Sequence, residues 1–483
     1  MLSSHPIRWP AAAIILLIGF GVAAQPFEGL SSAIQQGQFG QLKAVVIARH
    51  GDIIYEDYFR GTQPDDLHQV QSVTKSVGSA LVGIAHRQGK LQLDQGLDEF
   101  FGELYPMTQG SYRDKADITV EQVLQQRHGI QWDETQTDYR DPQNPANQLV
   151  NASDWYDFVL TRPMDAAPGT RFSYSTGAST LMSRFIRVAS GMGPEAFAMQ
   201  ELFAPLGIDS VHWEGFSEDG RGTGLTDWPN PDGDAPLGFS LWLSARDMVK
   251  FGELYLRGGV YNGRRILDSS WVDASWTKYS NASNSDEFEQ PGWGHGYQWW
   301  IATVDDPLGR HWNVFFASGW GSQVIFIIPE LDLVMVTTAD NYDHTGFDVD
   351  ALLVTQVLPF VAPRLDARFN GAWYDPAADG QGLTLEIRDG SVLGFWYTYD
   401  QAGGQRWFLM QGQVSSGFGQ VTIYETSGGV FLQGTPPYSL IPWGSGLFSA
   451  VDCDHIRFDF DADQLSETVQ LTRLSGVCFS PPE

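Results

Sequence analysis

Between residues 43 and 59 the segment KAVVIARHGDIIYEDYF alternates apolar and polar positions on either side of His50-Gly51-Asp52, the period and turn chemistry of a β-hairpin. The next patterned stretch, QSVTKSVGSALVGIAHRQGKL at 71–91, is an apolar, small-residue run with helical spacing. Further helices are predicted over 120–127, where Thr119 and Gln122 form a capping box, over 180–189, over 194–204, and over 245–257, entered by Ser244 with Asp247 three residues on. Strand patterns return at 297–304, at 312–317 and in QVIFIIPELDLVMVTTA, 323–339, which turns near Pro329-Glu330. An apolar helix over 349–361 follows. Sheet at both ends with helices between them predicts an α+β domain whose sheet is closed by segments far apart in sequence.

Beyond PRLDARFN the texture changes. Residues 370–483 contain no lysine, many glycines and short alternating strands such as LGFWYTYD. A boundary near 365 and a small all-β C-terminal domain are expected, and a chain of 483 residues is long enough for two cores. At the other end Arg8, the apolar run 11–23 and Val22-Ala23-Ala24 have the layout of an export signal, 1–24. The apolar run is shorter than the roughly 20 residues that span a bilayer, so the expectation is a periplasmic or secreted protein without a membrane anchor after signal cleavage. The first, α+β domain is then expected to cover 25–364.

A net charge of −29 argues against nucleic acid or an anionic membrane as partner, because both require a basic surface. Cys453 and Cys478 are the two cysteines; in an oxidising compartment they are expected to pair, the alternative being two free thiols. Two soft ligands are too few for an attractive metal site, and no cofactor is expected.

The candidate chemistry opens the helix at 73. Ser72 and Lys75 are three residues apart, so on a helix they share one face. A serine hydroxyl needs a base within hydrogen-bond reach to become a nucleophile. A lysine serves as that base once burial and the positive end of a helix disfavour its charged form. The same helix start leaves backbone N–H groups free for an oxyanion. Ser275 and Lys278 repeat the spacing, but the polar stretch YSNASNSDEFEQPGWG follows them, and that pair is read as an exposed coincidence, with Tyr279 completing the decoy.

SVTKS after a hairpin resembles the active-site motif of the penicillin-recognising serine hydrolases, the family of penicillin-binding proteins and class C β-lactamases. ITVEQVLQQRHGI, PGTRFSYSTGASTLMSRFI, LWLSARDMVKFGELYL and FFASGWGSQVIFIIPELDLVMV resemble further family segments in the family's order. The resemblance implies a serine β-lactamase-like fold, an antiparallel sheet flanked by helices plus a helical subdomain. By matching position it makes Ser72 the nucleophile, Lys75 its base partner and Tyr174 of YST the proton shuttle, a tyrosinate beside the lysine being stabilised by its charge. It places the oxyanion donors at the N–H groups of Ser72 and Trp320 and the substrate-binding strand at Ser318 and Gly319.

Two departures bear on substrate. Thr176 stands where the family's tyrosine motif has asparagine, and Ala317-Ser318-Gly319 stands where it has Lys-Thr-Gly. Without that lysine the cation that pairs with a β-lactam carboxylate is missing. GIQWDETQTDYRDP resembles the branch of nylon-oligomer (6-aminohexanoate-dimer) hydrolases and carboxylesterases, in which a loop tyrosine covers the substrate; Tyr139 is the matching candidate. The implied partner is a small-molecule amide or ester. Alternatives are a peptidoglycan-directed D-amino-acid peptidase or weak β-lactamase, and an inactive wall- or glycan-binding protein. The last would use polymer or glycan binding through the C-terminal domain, where Trp373, Trp396, Tyr397, Trp407 and Trp443 form either a stacking platform or a core. Asp459, Asp461 and Asp463 alternate with apolar residues and read as the solvated face of a strand rather than a calcium site.

Overall fold

The computed structural model describes residues 27, 29–215, 222–224, 226–281, 293–306, 310–342, 349–378, 380–400, 402–415, 417–427, 439–451, 454–462 and 465–476. The segment 1–24, read from the sequence as an export signal, and Cys453, Cys478 and Asp463 lie outside the described residues. Two compact units divide between Phe360 and Val361.

The first unit is built on an antiparallel sheet. Its strands are β1 (Leu42–Arg49), β2 (Asp52–Tyr58), β3 (Trp300–Asp305), β4 (His311–Gly319), β5 (Gln323–Ile328) and β6 (Leu333–Ala339), in the order β2-β1-β6-β5-β4-β3, extended by the short strands Gly294–His295 and Ser280–Asn281. β1 pairs with β6 in a register that sets Val46 against Val336, so the sheet is closed by the two ends of the unit, as its hydrophobic pattern requires. β5 and β6 are buried along their whole length, which explains their continuous rather than alternating apolar runs.

Helix α1 (Val73–Arg87) is buried at every position from Val73 to Ala85. Its glycines make that possible. A Cβ on Gly83 would fall 2.5 Å from the Trp271 ring, and one on Gly78 would fall 2.8 Å from the Met182 side chain and 2.9 Å from that of Leu237. Helix α2 (Ala245–Leu256) is capped by Ser244, whose hydroxyl accepts from Asp247 N, and packs on the sheet through Gly252, where a Cβ would fall 2.6 Å from Val334.

Several elements end where backbone chemistry rather than periodicity decides. The helix expected over 120–127 has its capping box but stops at Leu124, because Gln126 has a φ of 56°. The one expected over 180–189 forms as Met182–Ser190, and a separate short helix, Thr176–Thr180, precedes it. Those expected at 194–204 and 349–361 widen part-way into π-helical turns, Met199–Phe203 and Leu353–Val357. Ser275 is also corrected: it is buried, not exposed. It closes the helix Ser269–Ser275 one turn beyond Trp271, so it shares the inward face, and its hydroxyl donates to Trp271 O at 2.8 Å. That bond to its own helix leaves it uncoupled from Lys278, which lies beyond the helix end alongside Gly294.

The second unit is an eight-stranded closed antiparallel barrel running from Gly371–Tyr374 to Leu465–Arg473. Alternation along each strand sends Leu383, Leu385, Ile387, Phe408, Met410 and Phe458 into its core. Trp373 is buried there, and Trp396 and Trp443 pack against the same core, whereas Tyr397 and Trp407 face out, 51% and 46% exposed. The five aromatic rings named from the sequence therefore do not form one surface. Asp459 lies on the strand His455–Ala462, where its carboxylate accepts from Arg457 and Thr468. No group of three or more His, Cys, Asp or Glu side chains among the described residues could hold a metal.

Candidate active site

Ser72 stands at the N-cap of α1, and the chain reaches it through a turn that periodicity does not reveal. Gln71 has a φ of 54°, an unusual conformation for a residue with a side chain. It is held by its N–H donating to Gln69 Oε1 at 2.9 Å and by its carbonyl accepting from Thr74 Oγ1 at 2.6 Å. The end of β4 presses on this turn. A Cβ on Gly319 would fall 2.4 Å from Val70 O and 3.1 Å from Ser72 N, so only glycine lets the strand approach. Trp320 follows immediately. Within the described residues neither the Ser72 nor the Trp320 backbone N–H has a hydrogen-bond partner, which is the condition for receiving an oxyanion.

One turn along α1, Lys75 is 2% exposed. Its Nζ donates to Ser72 Oγ at 2.8 Å, Thr176 Oγ1 at 2.9 Å and Gly238 O at 2.9 Å. Burial pushes its pKa down to about 8, against an opposing pull from the Glu134 carboxylate. The Tyr174 ring centroid lies 4.9 Å from Lys75 Nζ, and the Ser72 hydroxyl is close enough to ease ionisation of its phenol. Burial first and Glu134 second hold its phenol well above the usual tyrosine range. That direction disfavours the tyrosinate expected beside the lysine, because an ionised phenol loses its solvation in the buried site.

Tyr174 is set by the segment that follows it. Ser175 caps the helix Thr176–Thr180 by accepting from Ala178 N at 2.9 Å. Its own N–H donates to Gln126 Oε1 at 2.9 Å, so the φ reversal that ended the earlier helix places the side chain that orients this one. The Tyr174 ring stacks on Trp300 of β3, 5.4 Å between centroids.

Of these groups Ser72 and Thr176 open into a cavity of about 430 Å³ whose wall also includes Tyr139, Trp155, Trp228, Phe239 and Trp320, whereas Lys75 and Tyr174 are not among its described lining residues. Tyr139 thus reaches the cavity, its ring 5.5 Å from that of Trp320. Ser318 and Gly319 are not among the described lining residues; Ser318 is half-buried and Gly319 fills the gap against Ser72. Lysine 278 and Ser275 contribute nothing to the site. Sequence reasoning missed Glu134, Gln71, Gly238 and Arg140. Arg140 sits on the cavity wall with its guanidinium 5.3 Å from the Trp320 ring and donates to Tyr342 O. Glu134 stands five residues before the loop tyrosine Tyr139, and nothing local marked it as buried.

The family pattern described as Beta-lactamase matches residues 35–358. This chain belongs to the beta-lactamase family. Membership places it among the serine hydrolases of the β-lactamase and penicillin-binding protein superfamily, whose members act on amides and esters. Among curated relatives, the beta-lactamase-family protein is similar to a 6-aminohexanoate-dimer hydrolase of Paenarthrobacter ureafaciens, 24% identical over 312 residues that cover 61% of this chain and 71% of the relative. Among solved structures, the octameric penicillin-binding protein homologue from Pyrococcus abyssi shares the fold with a TM-score of 0.51 at 17% identity, covering 92% of this chain and 99% of that one. A D-stereospecific amidohydrolase from Streptomyces sp. does so with a TM-score of 0.51 at 16% identity, covering 68% and 98%.

Proposed function

We propose that the protein cleaves amide or ester bonds of a small, largely apolar substrate through an acyl-enzyme on Ser72. The observation that carries this reading is the buried amine of Lys75, 2.8 Å from Ser72 Oγ. Once Lys75 is neutral, the Ser72 hydroxyl donates to it. Attack of Oγ on the substrate carbonyl carbon forms a C–O bond and passes the serine proton to Nζ. The negative charge on the former carbonyl oxygen is received by the N–H groups of Ser72 and Trp320. Collapse breaks the bond to the leaving amine or alcohol. That group takes a proton from the Tyr174 phenol, which is replenished by Lys75. Water then repeats the sequence on the acyl-enzyme and frees the acid.

The aromatic walls supplied by Trp155, Trp228, Phe239 and Trp320 support an uncharged acyl group. In the strand, Ala317 is buried in the core where a cation is wanted for a β-lactam carboxylate, so covalent labelling by penicillin should be poor; rapid stoichiometric labelling instead favours the peptidase reading. Export to the periplasm or medium fits the apolar leader and remains part of the proposal. A polymer- or glycan-binding role for the barrel rests on its outward aromatic side chains Tyr374, Tyr397, Tyr399 and Trp407. Three of these lie in one row, because Tyr374 and Tyr397 both pair with Gly382 and Tyr397 pairs with Trp407. Retention of the purified second unit on insoluble polysaccharide tests that role, with Trp407→Ala expected to release it.

The hydrolytic reading is tested with p-nitrophenyl esters and anilides. Ser72→Ala and Lys75→Ala should each lower kcat by about 10³-fold or more, with a trapped acyl group on Ser72 in the wild type by mass spectrometry. Wild-type turnover in Ser72→Ala ends the proposal.

A further inference from the structure

Glu134 is fully buried, yet its carboxylate is satisfied on both oxygens. Oε1 accepts from Thr176 Oγ1 at 2.7 Å and from the Tyr139 hydroxyl at 3.2 Å; Oε2 accepts from Thr176 N at 2.8 Å and from the Trp132 indole N–H. Four donors on one carboxylate fill its acceptor capacity. A buried anion is expensive to keep, and its nearest connection to a functional group is one hydroxyl long, through Thr176 to Lys75.

That connection has a direction. A hydroxyl carries one hydrogen, and the hydrogen of Thr176 is committed to Glu134, so Thr176 Oγ1 can only accept from Lys75. Gly238 O, a carbonyl, also can only accept. A neutral lysine has two N–H bonds and one lone pair. With both N–H groups claimed by Thr176 and Gly238, the lone pair is left for the third neighbour, the Ser72 hydroxyl at 2.8 Å. Gly238 cannot drift, because it is wedged where a Cβ would fall 2.8 Å from Thr176 O.

We infer that Glu134 is a positioning residue which, by fixing the hydrogen of Thr176, aims the lone pair of Lys75 at Ser72, and that Thr176 serves this purpose in place of the expected asparagine. The inference rests on the Ser72 and Lys75 reading above. The carboxylate also raises the pKa of Lys75, opposing burial. The other titratable groups facing this amine are the neutral Tyr174 phenol and His295, which burial holds at about 3 and which is uncharged at working pH.

Glu134→Gln removes the direction. If the amide nitrogen faces Thr176, the hydroxyl must accept from it and turns its hydrogen toward Lys75, competing for the lone pair. If the amide oxygen faces Thr176, the nitrogen meets the Trp132 and Thr176 N–H groups donor to donor. The test is the pH profile of kcat and KM for ester hydrolysis. Glu134→Gln should lower kcat by about tenfold or more with KM changed by no more than about threefold, and its rising limb should move to lower pH as the carboxylate's pull on Lys75 is lost. A rate like the wild type, or a lower rate with the limb unmoved or raised, overturns the inference. Should that variant not fold, Thr176→Val and Thr176→Ser decide: Val should lose about tenfold or more in kcat and Ser should restore it, whereas a wild-type kcat in Val, or no rescue by Ser, overturns the inference. Ser72→Ala run alongside separates the two claims, since turnover surviving in it refutes the underlying mechanism rather than the role of Glu134.

Discussion

A single lysine carries the pH dependence of the proposed reaction. Burial holds Lys75 at about 8, and only its neutral form can take the Ser72 proton, so the fraction of competent enzyme grows as pH rises through that value. kcat/KM should therefore climb about tenfold per pH unit below about pH 8 and level off above it, measured with a neutral ester so that the substrate does not titrate. Tyr174 adds no second limb in this range, because its phenol is held well above the ordinary tyrosine value. A profile that is flat from pH 6 to 9 would place the proton elsewhere. Ser72 and Lys75 were legible because their spacing and the apolar run behind them are local properties. Glu134 was not: its burial and its four donors come from Trp132, Tyr139 and Thr176, and their convergence is a product of the fold.

At the scale of elements, α1 is positioned by what its glycines allow. Gly83 lies against the flat of Trp271, with a would-be Cβ at 2.5 Å. Gly83→Ala must displace that ring or the helix, and overpacking of this kind destabilises by about 1–3 kcal/mol, enough to lower the thermal midpoint by several degrees, which calorimetry would register. Gly319→Ala belongs to the same scale but acts on catalysis, since its added carbon would collide with Val70 O and push β4 from the Ser72 turn. The helical pattern predicted α1 well, and the alternation at 43–59 gave a hairpin. The early end at Leu124 and the short helix Thr176–Thr180 escaped the pattern. A positive φ at Gln126 and the capping of Thr176–Thr180 by Ser175 are backbone events that leave hydrophobic spacing unchanged.

At the scale of the whole molecule, each unit has its own core. The candidate site is assembled entirely within the first, from β4, the start of α1 and the segments around residues 134–140, 155, 174–176 and 228–240. A chain ending at 360 should keep at least half of the ester-hydrolysis rate of the full chain, and residues 361–483 should fold alone into a β-rich unit with its own unfolding transition. Loss of all activity on truncation, with the first unit still folded by circular dichroism, would show that the barrel takes part in the chemistry.

The sequence by itself determined the fold class, the change of texture near residue 365 and the serine with its lysine, because each is written in neighbouring residues: a period, a composition or a spacing on one helix face. Tertiary structure alone decided that Ser275 is buried and tied to its own helix, that three of the barrel's five named aromatic rings belong to its interior, and that burial disfavours ionisation of the Tyr174 phenol. It also decided that Glu134 reaches Lys75 through Thr176. Burial, desolvation and the direction of a hydrogen bond depend on which distant segments meet, and no local pattern encodes that meeting.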